Sequence, residues 1–336
     1  MLKAKVAAVS TYLPTPVVHN EELAALFPEW TAEKILSKTG IAERRVAAPD
    51  ETAADLAFSA AEAMFTEHGI DRKSIDFLLF CSQSPDYILP TTACVLQSRL
   101  DLRQDIGALD FNLGCSGFVY GLSLAKGLIE AGSVRRVLLL TADTYTKFIH
   151  PRDKSVRTIF GDGAAATLIE AQRSESDAIG PFIFGTNGGG AEDLIVKTGG
   201  ARHARTEGSA VEYEDTSGNV RTEDHLKMDG AAVMAFTLKA VPALVKDLLD
   251  TAGLAVDDLD HVVFHQANTF ILESLRKKCK IPEDKFVIHM EHCGNTVSST
   301  IPIALSSLPQ AAGRRRRILV VGFGVGLSWA GTIIDY

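Results

Sequence analysis

The chain repeats itself. A helical stretch over Ala53 to Gly69, the turn Asp71-Arg72-Lys73-Ser74-Ile75-Asp76 and the apolar run Phe77-Leu78-Leu79-Phe80 recur about 180 residues later. There they read Ala231 to Gly253, Asp257-Asp258-Leu259-Asp260 and His261-Val262-Val263-Phe264. Ala108-Leu109-Asp110-Phe111, then Asn112-Leu113-Gly114-Cys115 and a small-residue helix to Gly132, form the next block. Their counterparts are Phe286-Val287-Ile288-His289, Gly294-Asn295 and a similar helix to Gly313. Each unit closes with basic residues and a strand of buried type, Arg136 to Leu140 and Arg317 to Val321, then a further apolar strand, Ala164 to Glu170 and Trp329 to Asp335. Short apolar runs alternating with helical patterns are βαβ units, whose parallel strands need cover on both faces. Two such halves imply a layered α/β/α/β/α arrangement with pseudo-twofold symmetry; chance similarity between two α/β halves is the competing reading. The helices after Cys115 and Asn295 are rich in Gly, Ala and Ser, which allow close backbone approach and suit a buried central layer.

Between Gly180 and Met228 the pattern loosens into Gly188-Gly189-Gly190, Gly199-Gly200 and the polar stretch Glu207 to Arg221. The expected division is a first half over 1–175, a connecting insertion over 176–228 and a second half over 229–336. The insertion either covers a site, lines a subunit contact or is a surface loop without a role. With 336 residues, 46% hydrophobic and 23% charged, the chain has ample material for a full core. Its 34 basic and 42 acidic residues give a net charge of −8, which argues against non-specific nucleic-acid binding. No apolar run approaches the roughly 18 residues of a transmembrane helix. Met1-Leu2-Lys3-Ala4-Lys5-Val6 reads directly into a strand, without an apolar signal core. The expectation is a cytoplasmic protein that does not insert into a membrane. Five cysteines without a CxxC pair make neither a disulfide framework nor a structural zinc site, so no metal is expected.

Four features carry chemistry. Cys115 ends an apolar strand, stands between Gly114 and Gly117, and opens a helix. A helix N-terminus offers a positive dipole end and N–H donors, both of which lower a thiol pKa and favour a nucleophile. An inert buried cysteine is the alternative. His265-Gln266-Ala267-Asn268 follows the strand His261 to Phe264, and ligands collect at the carboxyl ends of parallel strands; a structural histidine is the other reading. Asn295 holds the second-half position equivalent to Cys115, where an N-cap would also account for it. Gly322-Phe323-Gly324-Val325-Gly326 is a turn that can aim a backbone N–H at an oxyanion. No Lys-Ser or Lys-Thr follows it, which excludes a phosphate loop.

In order and spacing these motifs resemble the beta-ketoacyl-acyl-carrier-protein synthase III group of the thiolase superfamily, over about Val6 to Tyr336. Lys38 to Arg45, Ala93-Cys94, Gly114 to Phe118, Phe160 to Ala164, His265 to Asn268, Gly294-Asn295-Thr296 and Gly324 to Trp329 carry the likeness. The resemblance implies a thiolase-like five-layer αβαβα fold and a catalytic trio of Cys115, His265 and Asn295. It implies an acyltransferase that loads an acyl group on Cys115, then condenses it with malonyl-carrier protein by decarboxylative Claisen chemistry in fatty acid or specialised lipid biosynthesis. The backbone N–H groups of Cys115 and Val325 would form the oxyanion hole. Gln266, Asn268, Phe270, Lys277 and Lys278, with Lys280 nearby, would meet the phosphopantetheine arm and the acidic acyl carrier protein. Leu89 would bound the acyl pocket, reaching across a homodimer to the partner subunit. The substrates would be acyl-CoA or acyl-carrier protein and malonyl-carrier protein, with no cofactor. Departures from the family pattern are Val325 for glycine, Lys34 and Lys38 where a tryptophan and an arginine hold the CoA adenine, Phe270 for an arginine, and Leu89 for a phenylalanine. A thioesterase, or an ester- or amide-forming acyltransferase using the same three residues, is the alternative. Arg314 to Arg317 is a denser basic run whose place before a strand suits an exposed turn.

Overall fold

The computed structural model describes residues 1–309 and 315–336, so Gly313 and Arg314 lie outside the described residues. Strands β1 (Leu2–Tyr12), β2 (Phe77–Cys81), β3 (Gly107–Phe111), β4 (Arg136–Asp143) and β5 (Gly163–Arg173) form a five-stranded sheet in the order β1-β5-β4-β2-β3. Strands β6 (Ile179–Thr186), β7 (His261–Phe264), β8 (Phe286–Val287), β9 (Arg317–Gly324) and β10 (Ser328–Asp335) form another in the order β6-β10-β9-β7-β8. The pairing modes repeat with the order. In the first sheet β1–β5 and β5–β4 are antiparallel, while β4–β2 and β2–β3 are parallel. In the second, β6–β10 and β10–β9 are antiparallel, while β9–β7 and β7–β8 are parallel. The repeat read in the sequence is thus a repeat of sheet topology.

The helices that matter to the site are α1 (Ala32–Thr39), α2 (Ala53–Glu67), α3 (Gly117–Glu130), α4 (Gly230–Ala252), α5 (Thr269–Lys278) and α6 (Thr300–Ser306). Alternation along a doubly buried strand sends neighbours to different layers. In β4, Leu138, Leu140 and Ala142 pack with α2, whereas Val137 and Leu139 pack with Phe118 and Leu122 of α3. In β9, Ile318 and Val320 face the same middle layer, and Leu319 and Val321 pack with Val241, Leu248 and Leu272 of α4 and α5. Helices α3 and α6 therefore lie between the sheets, with α2 outside one and α4 and α5 outside the other. Phe118, Leu122, Ile301 and Leu305 are fully buried there. Each contributes roughly 1.5–3 kcal/mol of apolar burial.

The segment 176–228 supplies β6, which takes the edge of the second sheet that β1 takes in the first. Gly180, Pro181 and Gly185 interrupt the alternation that would mark it as a strand in the sequence. The remainder folds back in two short antiparallel pairs, Tyr213–Glu214 with Val220–Arg221 and Leu194–Ile195 with Lys227–Met228. Buried Arg221 pins this strap, 2.9 Å from Asp153 and 2.7 Å from Asp215.

Candidate active site

Strand ends and central helices meet on one side of the molecule. Residues 112–116 lead from β3 into α3 and place Cys115 two positions before the helix. His265 follows β7 directly and is anchored by its N–H donating to the Val321 carbonyl at 2.8 Å. Asn295 precedes α6 and forms an isolated bridge with Phe160, its N–H donating to the Ile159 carbonyl at 2.9 Å. All three side chains are buried and line one cavity of about 410 Å3. Trp30, Lys154 and Phe270 also line this cavity; Leu194 and Met228 of the strap and Val233 and Thr237 of α4 form part of its wall. The strap thus contributes to the wall of this cavity.

Two glycines let β9 run against Cys115. A Cβ on Gly322 would lie 2.6 Å from the Cys115 carbonyl oxygen, and one on Gly324 would lie 2.8 Å from Cys115 Sγ. The N–H groups of Val325 and of Cys115 itself face the sulfur and favour its anion. Burial, aided by the negative charge of Asp143, outweighs them and pushes the thiol up to about 12. The lowered thiol pKa expected from the helix N-terminus is therefore overturned: desolvation of a thiolate in this closed site exceeds the pull of the donors. Burial also holds the His265 imidazole neutral, its pKa lowered to about 3. Its Nδ1 lies 2.7 Å from Thr300 Oγ1, and its Nε2 lies 3.4 Å from Asn295 Nδ2. Val297 N–H donates to Asn295 Oδ1 at 3.0 Å, which fixes the amide with Nδ2 toward the histidine. That Nδ2 also donates to the Ala267 carbonyl oxygen at 3.5 Å, so both of its contacts are long ones. The two polar nitrogens and the Cys115 thiol thus belong to the lining of one cavity.

Asn268 caps α5, its Oδ1 accepting from Ile271 N–H at 2.9 Å, and lines the cavity. Phe270, 59% exposed, stands at the cavity's solvent side. Gln266 does not join them. Its Nε2 donates to the Phe264 carbonyl at 2.7 Å and its Oε1 accepts from His289 N–H at 2.7 Å. Spent and buried, it ties the ends of β7 and β8 together instead of meeting an arm or a docked protein. Lys277 is exposed on α5, and Lys278 donates to the Leu238 carbonyl of α4 at 2.7 Å. Leu89 lies outside the cavity of its own chain on an exposed loop, 79% exposed beside Ile88 at 94%. Lys34 and Lys38 of α1 hold their ammonium groups 5.5 and 5.4 Å from the Trp30 ring centroid.

Sequence reasoning missed four residues around Cys115 and His265. Asp143, at the end of β4, accepts from Gln83 N–H at 2.8 Å and from the Ser298 hydroxyl at 2.5 Å, and burial raises its carboxyl to about 7. It joins a loop of one half to a loop of the other. Gln83 Oε1 accepts from the Tyr145 hydroxyl, and its Nε2 donates to Asn112 Oδ1 at 3.1 Å. A Cβ on Gly114 would come within 2.4 Å of Gln83 Oε1 and 2.8 Å of Val325 Cγ1, so both side chains crowd the residue before Cys115. Thr300 is the fourth. Each is a common polar residue at a strand end, loop or helix end, with no motif to mark it.

Comparison with known proteins identifies the family. The family described as 3-Oxoacyl-[acyl-carrier-protein (ACP)] synthase III matches residues 109–188, and its C-terminal counterpart matches residues 249–336. The chain is 32% identical to a beta-ketoacyl-[acyl-carrier-protein] synthase III of Caldanaerobacter subterraneus subsp. tengcongensis, over 100% of this chain and 98% of the relative. A 2.1 Å crystal structure of a 3-oxoacyl-(acyl-carrier-protein) synthase III superposes with a TM-score of 0.97 at 56% identity, covering 99% of this chain and 100% of that one. The 3-oxoacyl-(acyl-carrier protein) synthase of Burkholderia xenovorans LB400 superposes with a TM-score of 0.90 at 37% identity, covering 99% and 95% of the two chains.

Proposed function

Because the chain belongs to the beta-ketoacyl-[acyl-carrier-protein] synthase III family and is a synthase of that kind, we propose that it is an acyltransferase in which Cys115 carries the acyl group and His265 and Asn295 serve the condensation. Cys115 Sγ attacks the thioester carbonyl of the primer. A C–S bond forms to the enzyme, the carrier's C–S bond breaks, and the thiol proton leaves with the carrier's sulfur. The N–H groups of Cys115 and Val325 hold the oxygen on which charge develops. Malonyl-carrier protein then enters. Its bond to the carboxylate breaks, CO2 departs, and the electron pair becomes an enolate whose oxygen accepts from His265 Nε2–H and Asn295 Nδ2–H. The enolate carbon attacks the acyl carbonyl, the bond to Cys115 breaks, and the released thiolate takes up a proton from solvent. The product is a 3-ketoacyl thioester on the carrier. No step as written calls for a metal or a redox cofactor.

One observation carries this reading: Cys115, His265 and Asn295, from three distant stretches, line a single cavity with Nε2 and Nδ2 3.4 Å apart. The arm enters past Phe270 and Trp30, and Asn268 Nδ2 is the donor offered to it. Lys277 and Lys278 supply local positive charge for an acidic carrier protein against the net −8 of the chain. A homodimer places Leu89 at the partner's acyl pocket, and the enzyme works in the cytoplasm; among the described residues no helix is long and apolar enough to cross a membrane. The working units are 1–175 with the nucleophile, the connecting cap 176–228, and 229–336 with the two donors.

The test is incubation with malonyl-carrier protein and a panel of acyl thioesters, read by intact mass and CO2 release. Cys115→Ala is expected to take no acyl label. His265→Ala and Asn295→Ala are expected to be loaded but to condense roughly a hundredfold more slowly. Loss of loading in either variant would overturn its assigned role, and hydrolysis of the loaded acyl group without CO2 release would favour a thioesterase.

A further inference from the structure

Neutral His265 carries one ring proton, and the reading above needs it on Nε2, the nitrogen that faces Asn295. Nothing in the catalytic trio decides that. Thr300, the first residue of α6, stands behind the ring, buried, with Oγ1 2.7 Å from Nδ1. Its hydroxyl has one proton and two acceptors in reach, Nδ1 at 2.7 Å and the Val297 carbonyl oxygen at 3.1 Å. The two choices have opposite consequences. A hydroxyl donating to Nδ1 leaves the ring proton on Nε2. A hydroxyl donating to Val297 makes Nδ1–H the donor to Oγ1 and leaves a lone pair on Nε2. Two distances favour the first choice. The shorter contact is the optimal one for an O–H donor. A lone pair on Nε2 would draw in Asn295 Nδ2–H, yet the two nitrogens stay 3.4 Å apart, at the long edge of a hydrogen bond.

The geometry points to Thr300 as a positioning residue that sets the tautomer of His265. Its hydroxyl donates to Nδ1, keeps the proton on Nε2, and so completes the pair of donors on which the enolate oxygen forms. Thr300 touches no reacting atom and acts through the imidazole alone. The inference rests on the proposed role of His265, and its test separates the two.

The full-length enzyme labelled with 15N-histidine is examined by NMR, beside Thr300→Val, which keeps the shape, and Thr300→Ser, which restores the hydroxyl. In the wild type His265 Nε2 is expected at a protonated, pyrrole-type shift, and in Thr300→Val at a pyridine-type shift. Thr300→Val should load Cys115 within about twofold of wild type and lose roughly a hundredfold in CO2 release from malonyl-carrier protein. Thr300→Ser should recover both the shift and the rate. A pyridine-type Nε2 in the wild type overturns the inference even if Thr300→Val fails to fold. Unchanged CO2 release in Thr300→Val, or no rescue by Thr300→Ser, overturns it as well. If His265→Ala itself releases CO2 at the wild-type rate, the role of the histidine falls; if His265→Ala is impaired and Thr300→Val is not, Thr300 alone falls.

Discussion

The sulfur of Cys115 has opposing neighbours. The N–H groups of Val325 and Cys115 pull its pKa down, while burial and the Asp143 carboxyl push it up to about 12. Asp143 itself titrates near 7 because burial disfavours its charge against the donors of Gln83 and Ser298. Its influence on the thiol is therefore switched on as pH rises through that value and absent below it. Asp143→Asn keeps the shape and removes the charge. Above the carboxyl's pKa, at about pH 8.5, the variant's Cys115 should be alkylated by iodoacetamide faster than the wild type's; at about pH 6, where Asp143 is already protonated, the two rates should coincide. Burial is the larger cause, so the thiol of the variant stays less reactive than exposed Cys94. Peptide mass spectrometry of the alkylated cysteines checks both statements, and equal rates at both pH values would remove Asp143 from the account.

At the scale of elements, α3 and α6 connect stability to the site, since Cys115 precedes α3 by two residues, Asn295 precedes α6 by five, and both helices have a sheet on either flank. Phe118, one turn from Cys115, is fully buried between the sheets. Phe118→Ala should cost about 3–5 kcal/mol, read by urea unfolding followed by circular dichroism; a loss below about 1 kcal/mol would mean that the layer collapses around the gap. These elements were legible in the sequence because period, glycine punctuation and order all recur: the small-residue helices after Cys115 and Asn295 are α3 and α6, and Arg317 to Val321 is the core of β9. β6 was not legible, since Gly180, Pro181 and Gly185 erase its alternation and its strand character comes from pairing with β10. Of the site, residues with a motif around them could be read. Gln83, Tyr145, Asp143 and Thr300 could not, because their meaning lies in contacts between segments far apart in the chain. Gln266 misled for the converse reason: it belongs to a motif, yet its own amide is consumed by the backbone.

On the scale of the whole molecule, the two halves share one apolar layer. Val6, Leu139 and Phe118 from the first half and Val263, Ile301 and Ile318 from the second belong to the same cluster. Residues 1–175 expressed alone would expose one face of that layer to water. They should therefore aggregate or unfold without a cooperative transition, whereas the full chain unfolds in one step. A soluble, sharply melting fragment in calorimetry would contradict the shared layer. In the proposed mechanism the seam also carries the chemistry, with the sulfur supplied by one half and both nitrogen donors by the other. As the protein is warmed, its catalysis and its architecture are bound to expire together.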